Sequence, residues 1–235
     1  LAKKSRTPTP PRKVQAPQRR VESRRKARSP EDRRTLYWAI AFAASGIAAI
    51  AIVVLVFTVL SGGGSGSAAV DQSKLVGLQT GPAPWNAGVD HLTDRLAAAG
   101  LSQLGTEGEV VHIHQHLDIY VNGKHIKIPT GVGIYDGQYL TELHTHDSTG
   151  VLHVESPKKE TFDLGQFFAV WGVRLDNNCI GGYCRPDTPW KIYVDGKEYT
   201  GDPGELALTK HEEIAIVIGT PPKTVPSRYS FPGGL

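Results

Sequence analysis

Six histidines and two carboxylates stand at alternate positions in two short stretches, HIHQHLD at 112–118 and LHTHDSTGVLHVE at 143–155. Successive side chains of a strand point to opposite faces, so His112, His114, His116 and Asp118 share one side. The same holds for His144 with His146, and for His153 with Glu155. Two imidazoles at His-x-His spacing lie about 6.5–7 Å apart along the backbone, which lets both reach one ion. Outward strand positions are more often Thr, Lys, Glu or Ser, and seven of the nine histidines fall between 112 and 153. This concentration points to a transition-metal site built from those eight residues, zinc or Cu(II) first, since imidazole suits both. The chain has no methionine, which argues against a thioether Cu(I) carrier. The competing reading is a polar or pH-responsive histidine face.

Hairpins are expected to position these side chains. Asn122-Gly123 suits a two-residue turn whose central positions both need positive φ. Pairing Val121 with Lys124 then sets Tyr120 against His125 and Asp118 against Lys127. Val111, Ile113, Leu117, Ile119, Val121, Ile126 and Ile128 gather on the other face, with Gln115 out of pattern. Asp147-Ser148-Thr149-Gly150 has turn chemistry. It places His144 opposite His153 and Glu142 opposite Glu155. Two facing carboxylates are unfavourable unless a cation lies between them or one is protonated.

Around the hairpins, Val89, Leu92, Leu96 and Ala99 recur at helical spacing up to Gly100, and Leu164, Phe167, Phe168 and Trp171 do so behind a Thr161 or Asp163 cap. His91 reads as a surface or capping residue. IYVDGK at 192–197 echoes IYVNGK at 119–124 without its histidines, so the hairpin shape does not itself require them. EIAIVIGT at 213–220 is apolar enough for a central strand ended by Pro221-Pro222, and PSRYSFPGGL reads as irregular. Cys179 and Cys184 are expected to form a disulfide in an extracytoplasmic domain, a thiolate metal site or redox pair being the alternatives. The fold class is therefore α+β, mainly antiparallel β hairpins with short helices, preceded by one transmembrane helix.

That last element rests on composition. Residues 1–34 hold 13 Lys/Arg against 3 Asp/Glu, a net of +10, so the remaining 201, with 13 against 20, carry −7. The tail lacks the large apolar residues needed to offset chain entropy and reads as a disordered basic cytoplasmic segment. Attraction to anionic lipid accounts for its charge; without stacking aromatics it does not suggest nucleic-acid binding. Within 35–60, Leu36–Leu60 holds 25 residues without a charge, enough to cross about 30 Å of hydrocarbon. A cleaved signal peptide ending near Ser67-Ala68-Ala69 is the alternative, although its apolar region would be only about 7–15 residues long. Small residues such as Ala39, Ala43, Gly46 and Ala48 permit close helix approach within an otherwise generic Ala-rich span. Basic flanks stay cytoplasmic, which makes this a single-pass signal-anchor in the cell membrane, with residues 61–84 as a flexible linker and 85–235 as an extracytoplasmic histidine-rich domain. The first residue is Leu1, not Met, so the natural start is expected to be missing or miscalled.

Taken together, HIHQHLDIYVNGK, LHTHDSTGVLHVES, LGQFFAVWGV and GGYC behind one basic-flanked span resemble a family of uncharacterised single-pass membrane-anchored proteins of actinobacteria and related lineages. The resemblance covers about residues 105–220. It implies that the histidine stretches act as one unit, and it implies no activity. The cupin pattern is similar in its His-x-His and later Glu, but here no Gly precedes the pair as expected and the Glu sits in another hairpin. There is no G-x-S-x-G nucleophile turn and no phosphate-cradling glycine loop. The expected function is metal handling at the outer membrane face, or support of an envelope metalloprotein as partner. Two alternatives stand: a metal-dependent hydrolase or oxygenase with Asp118, Glu142 or Glu155 as base, and a structural or assembly subunit of a membrane complex.

Overall fold

The computed structural model describes residues 69–135 and 137–235. The basic tail, the expected transmembrane helix and the start of the linker lie outside them; among the described residues no helix is long and apolar enough to cross a membrane. Among the described residues, eleven strands and two α-helices make an α+β fold with mostly antiparallel pairing. In chain order they are α1 (Leu92–Ala99), β1 (Val111–Val121), β2 (Lys124–Ile126), β3 (Ile134–Tyr135), β4 (Tyr139–Leu140), β5 (Leu143–His144), β6 (Val151–Ser156), α2 (Leu164–Trp171), β7 (Cys179–Ile180), β8 (Tyr183–Cys184), β9 (Trp190–Val194), β10 (Lys197–Tyr199) and β11 (Glu213–Ile218).

The main sheet runs β10-β9-β11-β1-β6-β5, with β2 also paired to β1. Asn122 (φ 50°) and Gly123 (φ 78°) provide the two positive dihedrals that the β1–β2 turn needs. Tyr120 faces His125 and Val121 faces Lys124, as the turn chemistry requires. Pairing stops at Ile126, however, so Asp118 takes its partner from His125 and not from Lys127: His125 Nε2 lies 2.6 Å from Asp118 Oδ1. The 192–197 echo forms the same kind of turn, with Asp195 and Gly196 at φ 50° and 76°. His144 pairs with His153 in the expected register.

The centre of the sheet is parallel: β11 lies beside β1 from His116↔Glu213 to Val121↔Ile218. Hairpin logic could not foresee this pair, because the connection between the two strands passes through most of the domain. One sheet face brings Leu117, Ile119, Leu152, Val154, Ile214 and Ile216 into a single core with Phe167, Phe168 and Trp171 of α2. That helix is held by a capping box in which Asp163 accepts from the Gln166 N–H (2.8 Å) and Gln166 accepts from the Asp163 N–H (3.1 Å). Both helices end on glycines of positive φ, Gly100 and Gly172.

Residues 71–84 of the expected linker belong to the domain: Leu75 is buried and the Gln79 N–H donates to Gly172 O at 2.7 Å. Arg95, 0 % exposed, anchors this region. Its guanidinium donates to the carbonyls of Val76, Gly88, Asp90, Ala169 and Val170, tying α1 to the C-terminal end of α2. Cys179 and Cys184 form the expected disulfide.

Candidate metal centre

The sheet face opposite the core collects the histidines. Pairing of β1 with β6 sets His112 against Glu155 and His114 against His153, and β5 adds His144 beside His153. His146 follows in the β5–β6 loop. The outcome is five imidazoles around one carboxylate: ligand-capable atoms of His144, His146, His153 and Glu155 lie within 4.8 Å of one another, and so do those of His112, His114 and Glu155. The rings pack edge-on, His114 on His153 and His146 on His153, each with 4.5 Å between centroids.

His114, His144 and Glu155 are each at most 2 % exposed. Burial disfavours the imidazolium and pushes His114 and His144 down to about 4, despite the opposing charge of Glu155. Both are thus neutral at pH 7 with a free lone pair. His144 Nδ1 faces the Thr141 carbonyl at 2.9 Å. A carbonyl only accepts, so Nδ1 carries the proton and the lone pair sits on Nε2, the orientation that a metal-bound histidine usually shows. That Nε2 lies 3.2 Å from His146 Nε2. For Zn–N bonds of 2.0–2.1 Å the edge of a tetrahedron is about 3.3 Å, against about 2.9 Å for the edge of a square plane. Burial alone would raise the Glu155 carboxyl, but the His153 hydrogen bond (2.9 Å) and the neighbouring His144 and His112 outweigh it and lower the pKa.

Two buried atoms of this cluster, His114 Nε2 and Glu155 Oε2, have no hydrogen-bond partner. Buried polar atoms are nearly always satisfied, so each of these two needs a partner such as an ion or a water, as do Gln115, Trp190 Nε1 and Glu213 Oε1 elsewhere. No family model matches the chain, and no curated protein or solved structure matches it either. The residues and their geometry therefore bear the whole functional argument.

Six of the eight expected site residues come together. His116 and Asp118 stand apart with Glu213, which β11 delivers. His116 Nε2 donates to Thr149 O and Nδ1 faces Glu213 Oε2, both at 2.8 Å. Burial disfavours charge on both partners; for His116 the Glu213 hydrogen bond and charge and the Thr149 carbonyl outweigh it, and its pKa is raised. Burial also raises Glu213; the Thr149 carbonyl only accepts, so His116 Nε2 carries a proton. With Nε2 donating to Thr149 and Nδ1 engaged by Glu213, this ring offers no free lone pair. Gly150, at φ 95°, covers it closely enough that a Cβ there would lie 2.9 Å from His116 Nε2. Tyr229 of the irregular tail stacks on the same ring at 3.8 Å.

Glu142 also leaves the face. Its carboxylate turns to the Ser102 N–H at 3.0 Å, which relieves the repulsion expected with Glu155. Sequence reasoning missed Glu213, although a Glu heading the apolar run 213–220 was a visible signal. It also missed Glu107, whose Oε1 comes within 3.2 Å of His146 Nε2; nothing local marks that residue.

Proposed function

We propose that this is a membrane-anchored extracytoplasmic protein that binds a transition metal, zinc ahead of copper, through strand-borne histidines, for metal handling or in support of an envelope metalloprotein. The observation behind it is the convergence of His144, His146, His153 and Glu155 within 4.8 Å, beside two buried atoms without partners. The neutral His144, its fixed tautomer and its 3.2 Å separation from His146 Nε2 are compatible with zinc. The anchor and its orientation are supported by the uncharged Leu36–Leu60 and the basic residues before it.

The test is elemental analysis of the full chain, gently isolated and then reconstituted with zinc. At least one tightly held ion per chain is expected, and His144→Ala should weaken zinc binding by roughly 10–100-fold or more. Circular dichroism of that variant is recorded alongside, so that loss of a ligand is separated from loss of fold. No more than trace metal before and after reconstitution sinks the proposal.

A further inference from the structure

The donors of the cluster are too many for one ion, and no set of them lying within 4.8 Å of one another contains all six. Five imidazoles and a carboxylate exceed the four ligands of a tetrahedral zinc, and two donors on one ion are at most about 4.2 Å apart. They divide instead into two groups, His144, His146 and His153 on one side and His112 and His114 on the other, and the residue common to both is Glu155.

Glu155 is oriented to serve both. Its Oε1 lies 3.4 Å from His112 Nε2 and 3.9 Å from His114 Nε2, and it also accepts from His153 Nδ1 at 2.9 Å, so this oxygen touches both groups. Its Oε2 lies 3.8 Å from His144 Nε2. The two orphaned atoms are divided the same way, His114 Nε2 in the first group and Glu155 Oε2 toward the second. A single ion in the His144 group would leave His114, 2 % exposed, with a buried lone pair and nothing to bind.

We infer that, on the metal-binding reading above, this is a two-ion centre: an inner ion held by His144, His146 and His153, an outer ion held by His112 and His114, and the Glu155 carboxylate bridging them. Bridged ions of this kind sit about 3.5–4 Å apart. Glu107, beside His146, brings a second carboxylate to the inner half. The two halves differ in character. The inner ion has four protein ligands, a closed shell. The outer ion has three, and the His112 side chain is 44 % exposed, so its remaining position opens to solvent. Three protein ligands with an open position is the arrangement that takes an exchangeable water or a ligand oxygen.

Metal-free full chain titrated with Zn²⁺ should saturate at two ions per chain. His112→Ala, on a half-exposed side chain whose loss spares the core, should reduce this to one; His112→Ala combined with His114→Ala should do the same. With Cu²⁺ in place of zinc, the integrated electron paramagnetic resonance signal should fall as the second equivalent enters beside the first. Saturation of the parent at one ion overturns the two-ion centre and leaves the metal-binding reading intact. Two ions persisting in the His112 and His114 variants, or two uncoupled coppers, also overturns it. No binding at all removes both.

Discussion

At the scale of single residues, the same sheet shows what partner-free burial means in two chemically different settings. His114 and Glu155 are orphans surrounded by other donors, and an ion would satisfy them. Gln115, between two histidines on β1, is an orphan on the opposite face: it is fully buried, and neither side-chain polar atom has a partner. Leaving such groups unmade costs about 1–3 kcal/mol, whereas an apolar group of the same shape removes the cost. Gln115→Met is nearly volume-conserving, so it should raise stability by about 1–3 kcal/mol. In urea unfolding followed by fluorescence of the buried Trp85, Trp171 and Trp190, the midpoint should rise with no change of slope. A lower midpoint would show that Gln115 makes a hydrogen bond, for example to a buried water. The residues of the cluster itself were legible because strand alternation has a period of two and histidine is rare at outward positions. His116 obeyed the same pattern and still left the group. Its partner Glu213 is 97 residues away in sequence, and no local pattern reports a contact of that range. Arg95 was illegible for a different reason: its partners are backbone carbonyls, which every sequence has.

At the scale of elements, turns were the most legible feature, since Asn122-Gly123 and Asp195-Gly196 each demand one backbone geometry. The parallel β1–β11 pair was not legible, because the apolar run 213–220 fits any neighbour in the middle of a sheet. Helix α2 was expected from its aromatic spacing, and its cap has a consequence that spacing does not reveal. Burial first, then the nearby carboxylates Glu205 and Asp202, push the Asp163 carboxyl up to about 6, against the backbone N–H groups of Gln166 and Gly165. The folded protein therefore holds this proton between pH 4 and 6 while the unfolded chain has released it. Stability from this group is greatest below pH 4, falls as pH rises to 6 and is flat above. Asp163→Asn keeps an acceptor for the Gln166 N–H and removes the charge. Urea titrations at pH 4, 5, 6 and 7 should show the variant losing the decline between 4 and 6 and gaining stability at pH 7, by on the order of 1–3 kcal/mol. If parent and variant keep the same slope, the decline has another source.

At the scale of the whole molecule, the proposed location depends on charge distribution. The body carries −7 and the tail +10, separated by 25 uncharged residues. The proposed orientation puts the histidine cluster and the Cys179–Cys184 disulfide on the side of the membrane where disulfides persist. The opposite orientation would place thirteen basic residues outside, against the bias of short basic flanks. Two measurements on intact cells follow from this. The chain should stay with the membrane pellet after an alkaline carbonate wash, as an inserted helix does and a surface-bound basic protein does not. A protease added outside should remove the histidine-rich domain while sparing an epitope placed at residues 1–34. Recovery of the chain in the carbonate supernatant would eliminate the anchor, and protection of the domain with loss of the tail epitope would invert the topology. Either result would leave the geometry of the histidine cluster unchanged and transfer its proposed role to a different compartment.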